Sequence, residues 1–364
     1  MSHPVAETGA LPARSAARGK TYGDIQGLRA LAAALVVLNH GLIILHPQAD
    51  RALAGYLGEL GVCVFFVISG FIMVVSTQGE AGAADAAGFI KKRIFRIVPI
   101  YWLSTILLAV INLRNGGPAG LGFGRVLTSL VFIPAPETPL GPVRPYHSPG
   151  WTLELEMVFY LLFGLAIVAP VARKSTMVIA ALATIVLAGA YLRSPFDMSY
   201  RPTLATFFSD PILLLFGVGV VIAKIRLKRD SVRGRSPLPI VAGLIVAATA
   251  SFWASGGAFP FSLPSVTLAW AVAAACVWLC STAHVDAKDN WLTRLLDQCG
   301  DASYSVYLFH LFLVEILAGV WRRLLGEADT AAFLGVSLLF SFAAATLIFR
   351  TLERPIGAYL RRFA

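Results

Sequence analysis

The chain is short of charge and of cysteine, and no part of it reads as a soluble domain. Only 14% of its 364 residues are Asp, Glu, Lys or Arg, against about 25% in an ordinary soluble domain. The four cysteines, Cys63, Cys276, Cys280 and Cys299, lie in or beside apolar runs. None has metal-ligand spacing, so no metal is expected. Cys276 and Cys280, at i and i+4, read as packing residues, and no disulfide framework is implied. No internal repeat with matching motifs is found, which counts against an inverted-repeat transporter. Residues 1–20 are Ala, Gly, Pro, Ser and Arg without an apolar run. They read as a disordered cytoplasmic arm rather than a cleaved signal peptide.

What fills the chain is hydrocarbon. Hydrophobic residues make up 57% of it, and its mean hydropathy is +0.74. A membrane span needs about 20 mostly apolar residues. Ten such stretches run over 25–45, 58–76, 97–113, 151–169, 176–192, 204–223, 238–255, 265–282, 302–320 and 332–349. Residues 121–133 are too short to cross and are expected at an interface. Lipid permits only helices or a closed barrel. The predicted fold is therefore all-α: a polytopic integral membrane protein with about ten transmembrane helices in one domain over residues 21–364.

The basic residues orient it. With the N-terminus inside, 22 of the 30 Lys and Arg fall on cytoplasmic segments and 8 on the other side, as the positive-inside rule requires. Both termini are then cytoplasmic. That asymmetry accounts for most of the +10 net charge, so no nucleic-acid partner is inferred. The run Lys224 to Arg235 reads as a topology signal in contact with lipid headgroups.

Against this background a few polar residues stand out. Arg29 and His40 share the first apolar run, about 16 Å apart along a helix. Ionisable groups at bilayer depth are costly and usually face a protein interior or a wet cavity. One cation to hold an anion and one base to take a proton suggest chemistry. A snorkelling Arg and a packed His remain the alternative. Arg93 and Arg96 are three apart and share a face at the cytoplasmic start of the third span, where two guanidinium forks can hold phosphates or merely anchor the helix. Ser148-Pro-Gly150-Trp151-Thr-Leu-Glu154-Leu-Glu156 leads into the fourth span from outside. Glu154 and Glu156 cannot share a face; Glu156, deeper and beside Phe159 and Tyr160, is the candidate inward carboxylate, leaving Glu154 for the loop or solvent. Ser303, Tyr307 and His310 share one face of the ninth span. Glu353-Arg354-Pro355 ends the tenth, and an ion pair fixing that helix end is the plainer reading.

These islands, in this order, resemble the acyltransferase 3 family of membrane O-acyltransferases. The residues that carry the resemblance are Arg29 with His40; Gly61-Val-Cys-Val-Phe65-Phe66-Val-Ile-Ser69-Gly70-Phe71; Arg93-Ile-Phe-Arg96 with Pro99; Gly150-Trp151-Thr-Leu with Glu156 and Phe159-Tyr160; Ser303-Tyr304 with Tyr307 and His310; and Glu353-Arg-Pro355. Ile25-Gln-Gly-Leu-Arg-Ala, Phe65-Phe-Val-Ile-Ser-Gly-Phe-Ile-Met73 and Trp151-Thr-Leu are most like the exopolysaccharide-production (ExoZ-like) branch. The chain departs from the family pattern at Cys63, where Asp is frequent, and at Glu154-Leu-Glu156, where Asn-Tyr-Glu or Ser-Val-Glu is frequent.

The resemblance implies a multi-pass protein of the bacterial cytoplasmic (inner) membrane. It implies transfer of an acyl group, usually acetyl, from cytoplasmic acyl-CoA to a hydroxyl of a surface or exported glycan or lipid-linked glycan. Acyl-CoA is then a co-substrate, with acetyl-CoA the expected donor and no tightly bound cofactor. The other expected partners are the glycan acceptor and membrane lipids; a homo-oligomer is compatible with the reading. His40 takes the catalytic place as general base or acyl carrier, with Arg29 and Glu156 beside it. Arg93 and Arg96 take the donor side. Ser69, Trp151, Tyr304, Tyr307 and His310 support the site. The rival from another class is a glycan or lipid transporter without acyl-transfer chemistry.

Overall fold

The computed structural model describes residues 23–47, 51–116, 119–136, 138, 141–192, 203–229, 232–233, 236–257, 262–284 and 291–363. The arm expected over residues 1–20 lies outside them. Helices dominate: α1 (Gly23–Leu45), α2 (Ala52–Ser76), α3 (Ala83–Arg114), α4 (Ala119–Leu130), α5 (Gly150–Ile167), α6 (Val171–Leu192), α7 (Leu204–Phe208), α8 (Leu214–Leu227), α9 (Leu238–Ala254), α10 (Leu263–Thr282), α11 (Trp291–Asp301), α12 (Ser303–Leu325), α13 (Thr330–Ile348) and α14 (Arg354–Leu360). Among the described residues, extended structure is confined to two pairings of two-residue segments, Ala135–Pro136 with Val143–Arg144 and Val232–Arg233 with Ala283–His284. The protein is an all-α polytopic membrane protein.

Nine helical stretches among the described residues are long and apolar enough to cross a bilayer, and α9, with 17 residues, is a shorter apolar helix. Counting α9 gives ten candidate crossings among the described residues. α4 has 12 residues and cannot span, in line with the interfacial expectation.

Four features differ from the sequence reading. The third helix starts at Ala83, so Arg93 and Arg96 lie well inside a 32-residue helix rather than at its start. Hydropathy counts the charges of Lys91 to Arg96 against a span, but Lys and Arg are good helix formers, so the helix continues below the membrane. Pro99 sits within it. The cytoplasmic segment 283–301 contains α11, which packs along α1. At the other end the chain does not stop at Glu353-Arg354-Pro355. It passes through a π-helical turn at Phe349–Glu353 and continues as α14, with Pro355 in the first turn, where its missing N–H costs nothing. The span over 204–223 is broken. Pro211 cannot continue α7, and Asp210 accepts the Ile212 N–H at 3.0 Å to start the chain again.

α1 and α2 form the centre, α1 against α2, α11, α12 and α13, and α2 against α8 and α10. Between helices in lipid there is no hydrophobic drive, so close packing must supply the attraction. Gly70 on α2 and Gly219 on α8 make that possible. A Cβ on Gly70 would strike the Phe216 carbonyl, and one on Gly219 would strike the α2 backbone at Val67 and Phe71. The outermost helices present large apolar side chains such as Leu165, Leu187 and Leu339, the surface a lipid-facing helix needs.

Candidate active site

The long α3 carries Arg93 and Arg96 to the mouth of a cavity between α1, α2, α3, α5 and α12. The cavity holds about 800 Å³ of empty space, counting its open end. Arg29, Arg93, Arg96, Ser69, Glu156, Tyr304 and Tyr307 all line it. Residues from five helices, separated by up to 278 positions, are thereby brought together.

At the mouth Arg93 lies over the rings of Phe89 and Tyr160, at 5.3 and 5.8 Å, which fixes its plane. Its Nη2 donates to Ser76 Oγ at 3.3 Å. Arg93 Nε and Ser303 Oγ, both on lining residues, are buried without a hydrogen-bond partner. Buried donors of this kind are rare and call for a ligand or water. Arg96 is exposed. Arg29 donates to Gln26 Oε1 at 3.3 Å, and Gln26 in turn donates to Asp301 at 2.8 Å, tying α1 to α11. Glu353 accepts from Ser305 Oγ at 2.6 Å and makes no ion pair within 4 Å among the described residues. The expected ion pair at Glu353 is replaced by a hydrogen bond across to α12, because the helix runs on past Arg354 instead of ending there.

Midway up, Glu156 turns inward as expected. Its Oε1 accepts from Ser69 Oγ at 2.7 Å and from Tyr160 OH at 2.5 Å. Glu154, however, is also buried, at 1% exposure. Two residues on from one buried face of α5 lies another, because the helix is covered by α3 as well as by α2. Tyr304 donates to the Ile97 carbonyl at 2.7 Å, holding α12 to α3. Thr152 donates to the Pro149 carbonyl and receives the Tyr307 hydroxyl at 2.7 Å. Trp151 is not among the lining residues; its ring packs near Phe66, at 6.4 Å.

The histidines form a second group one turn beyond Tyr307. His310 Nε2 lies 3.1 Å from His40 Nδ1, with ring centroids 4.8 Å apart. Phe65 and Tyr307, in edge contact at 6.0 Å, line the cavity where it approaches this pair. The hydrogen bonds fix the protons. His310 Nδ1 faces the Tyr307 and Val306 carbonyls at 2.8 and 3.2 Å, so it must donate. In a neutral ring its Nε2 then accepts. His40 Nδ1 faces that acceptor at 3.1 Å and the Val36 carbonyl at 3.0 Å, with the Asn39 side-chain amide farther off at 3.4 Å; its two nearer partners are acceptors, which favours the proton on Nδ1. The basic lone pair of His40 is left on Nε2. Arg29, about 16 Å down the same helix, is too far from His40 to donate to an oxyanion formed there; it belongs with the arginines of the mouth.

Sequence reasoning did not single out His147. It is 1% exposed, donates from Nε2 to the Leu308 carbonyl at 2.9 Å, and stacks on Phe312 at 5.4 Å. It fastens the outer segment before α5 to α12, next to His310. Burial pushes its pKa down to about 4. A lone His in a loop gives no sequence signal for such a role.

Comparison with known proteins assigns the chemistry. The family described as an acyltransferase domain matches residues 22–350. The chain belongs to the acyltransferase 3 family. Among curated proteins it is 32% identical over 305 residues to the exopolysaccharide production protein ExoZ of Rhizobium meliloti (strain 1021), covering 82% of this chain and 90% of that one. It is 24% identical to the acyltransferase MdmB of Streptomyces mycarofaciens, over 84% and 82% of the two chains. It is 25% identical to nodulation protein 10 of Rhizobium leguminosarum bv. viciae, over 85% and 89%. No solved structure matches the acyltransferase. It is thus a multi-pass membrane enzyme that takes an acyl group from a donor co-substrate, and the reading as a transporter without chemistry is set aside.

Proposed function

We propose that the enzyme transfers an acyl group, acetyl in the first instance, from cytoplasmic acyl-CoA to a hydroxyl of an exported or cell-surface glycan in the bacterial inner membrane. The observation that supports this is a cavity with three arginines in its lining and Tyr307 in its wall, Tyr307 lying 6.1 Å, ring to ring, from His310 of the histidine pair. Arg93, Arg96 and Arg29 supply charge-assisted donors for the phosphates of coenzyme A. The buried, unpartnered Arg93 Nε and Ser303 Oγ supply further donors along the same cavity. The pantetheine arm follows the cavity past Glu156 towards Tyr307. The glycan acceptor is drawn from the relatives: one protein 32% identical is named for exopolysaccharide production.

The chemistry needs no metal in this reading. His40 Nε2 takes the proton of the acceptor hydroxyl as its oxygen attacks the thioester carbon. The C–S bond breaks, an ester C–O bond forms, and the proton passes from His40 to the departing thiolate. The test is labelled acetyl-CoA offered to the purified full chain in vesicles, together with mass spectrometry of surface glycans from cells with and without it. Label in an O-acyl ester of the glycan, only when the chain is present, is the expected result. Glycans unchanged by loss of the chain, with no label transferred, contradict the proposal.

A further inference from the structure

A second cavity lies on the lipid-facing side of α8, away from the acyl-transfer path. Ile179, Leu182 and Ala183 of α6, the one face of α8 that runs from Leu214 through Gly217 to Ile222, and Ala274, Ala275 and Trp278 of α10 line it, and its surface is almost wholly apolar. Small residues make the groove: Gly217 on α8 and Ala274 and Ala275 on α10 leave room that larger side chains would fill. From Leu214 to Ile222 it follows α8 for about 12 Å, close to the half-thickness of a hydrocarbon core of about 30 Å. Its inner end is the end of α8 that carries the basic run.

That inner end is built for a negative charge. Trp278, part of the groove wall, carries two guanidinium groups near its ring: Arg226 at 6.0 Å and Arg229 at 5.8 Å. Arg226 is buried and fixed, its Nε donating to the Ser281 carbonyl at 3.1 Å and its Nη2 to the Thr282 carbonyl at 3.4 Å, where it also caps the end of α10. Arg229 is exposed at the headgroup level, with Lys228 beside it. An apolar slot one leaflet deep, ending in two cations held on an indole, matches one kind of molecule: an acyl chain below a phosphate.

We propose that the α6–α8–α10 groove binds an anionic phospholipid of the inner leaflet, its phosphate at Arg226 and Arg229 and one acyl chain along Gly217 and Ala274. Basic residues near an anionic lipid surface contribute about 1 kcal/mol each, so losing one should cost roughly fivefold in preference. A zwitterionic lipid would gain the slot but little from the arginines.

The test uses the full chain purified in detergent and incubated with equal amounts of phosphatidylglycerol and phosphatidylcholine, the retained lipid being read by native mass spectrometry. Wild type should retain phosphatidylglycerol in preference. Arg229→Gln should lower that preference roughly fivefold and leave phosphatidylcholine retention as it was. Gly217→Leu should lower retention of both lipids, because its side chain occupies the slot. A Cβ at position 217 meets only Leu182 Cδ1, at 3.9 Å, so the helix should accept it. Acyl transfer by both variants reports that they are folded, since neither residue lines the catalytic cavity. Equal retention of the two lipids by wild type, or undiminished retention by Gly217→Leu, overturns the proposal. Displacement of phosphatidylglycerol by an equal amount of undecaprenyl phosphate also overturns it, and would give the groove to a carrier lipid.

Discussion

His310 Nε2 accepts the proton that His40 carries on Nδ1, across 3.1 Å between two helices that lie 270 residues apart in the chain. The two backbone carbonyls at His310 Nδ1 call for a proton there, and in a neutral ring Nε2 is then the acceptor that faces His40. His310 therefore selects the His40 tautomer with its lone pair on Nε2. A histidine in this place holds a base in position without touching the substrate, much as second partners orient ligating histidines elsewhere.

The first prediction concerns that role. His310→Asn keeps a polar side chain but loses the ring acceptor, and its transfer rate should fall by roughly tenfold or more, short of the about 10²–10⁴-fold expected for loss of the base itself. Acyl-CoA binding should be unchanged. A steady-state measurement that finds KM for acyl-CoA raised with kcat preserved would count against the positioning role.

The second concerns the mouth. Arg93 has its plane set by Phe89 and Tyr160, so Arg93→Lys keeps the charge and loses both the fork and the stacking. Acyl-CoA binding should weaken despite the conserved charge. The double change Arg93→Ala with Arg96→Ala should weaken it further, and wild-type affinity should fall as salt is raised. Titration of acyl-CoA into the three proteins decides this. Equal affinities would make the pair topology anchors alone.

The third is one of stability. Gly70→Ala places a methyl against the Phe216 carbonyl on α8. The two backbones must separate, at a cost of about 1–3 kcal/mol. Thermal unfolding in detergent should show a clear drop for Gly70→Ala and almost none for Gly243→Ala, where a Cβ meets nothing within 4 Å.

The fourth is a pH dependence. His147 is held neutral by burial, its pKa lowered from 6.5 to about 4. Between those values the unfolded chain binds a proton that the folded chain does not, so stability falls as pH falls through about 6.5 and levels off near 4. At pH 5 the loss is about 2 kcal/mol relative to pH 7.5. His147→Gln should be less stable at pH 7.5 but should lose less between pH 7.5 and 5. Parallel pH profiles for the two proteins would remove His147 from the account.

Much of this architecture is legible in the sequence, because a bilayer makes length and apolarity decisive. The runs around Leu35, Val67 and Leu308 each become a helix. Arg29, Ser69, Arg93, Arg96, Glu156, Tyr304 and Tyr307 do meet in one cavity. What hydropathy misses is helix below the membrane, as at Ala83 to Arg96, where charge hides helical propensity. It also misses contacts set only by packing. Nothing local announces that Glu154 is buried, that Trp151 packs near Phe66 instead of lining the cavity itself, or that His147 docks on α12. The partnership of His40 with His310 is likewise a product of the fold: the sequence marks His40 as a candidate base without naming its partner, and leaves His310 between a site role and helix packing.

The central claim is that His40 moves the proton in acyl transfer, and His40→Ala compared with His40→Gln tests it most directly. Both should insert and fold, and both should bind acyl-CoA nearly as the wild type does, since His40 does not line the arginine cavity. Transfer to the glycan should fall by about 10²–10⁴-fold in each, because Gln keeps a hydrogen bond but cannot take the proton. A well-inserted His40→Ala enzyme that transfers at near wild-type rate would contradict the account.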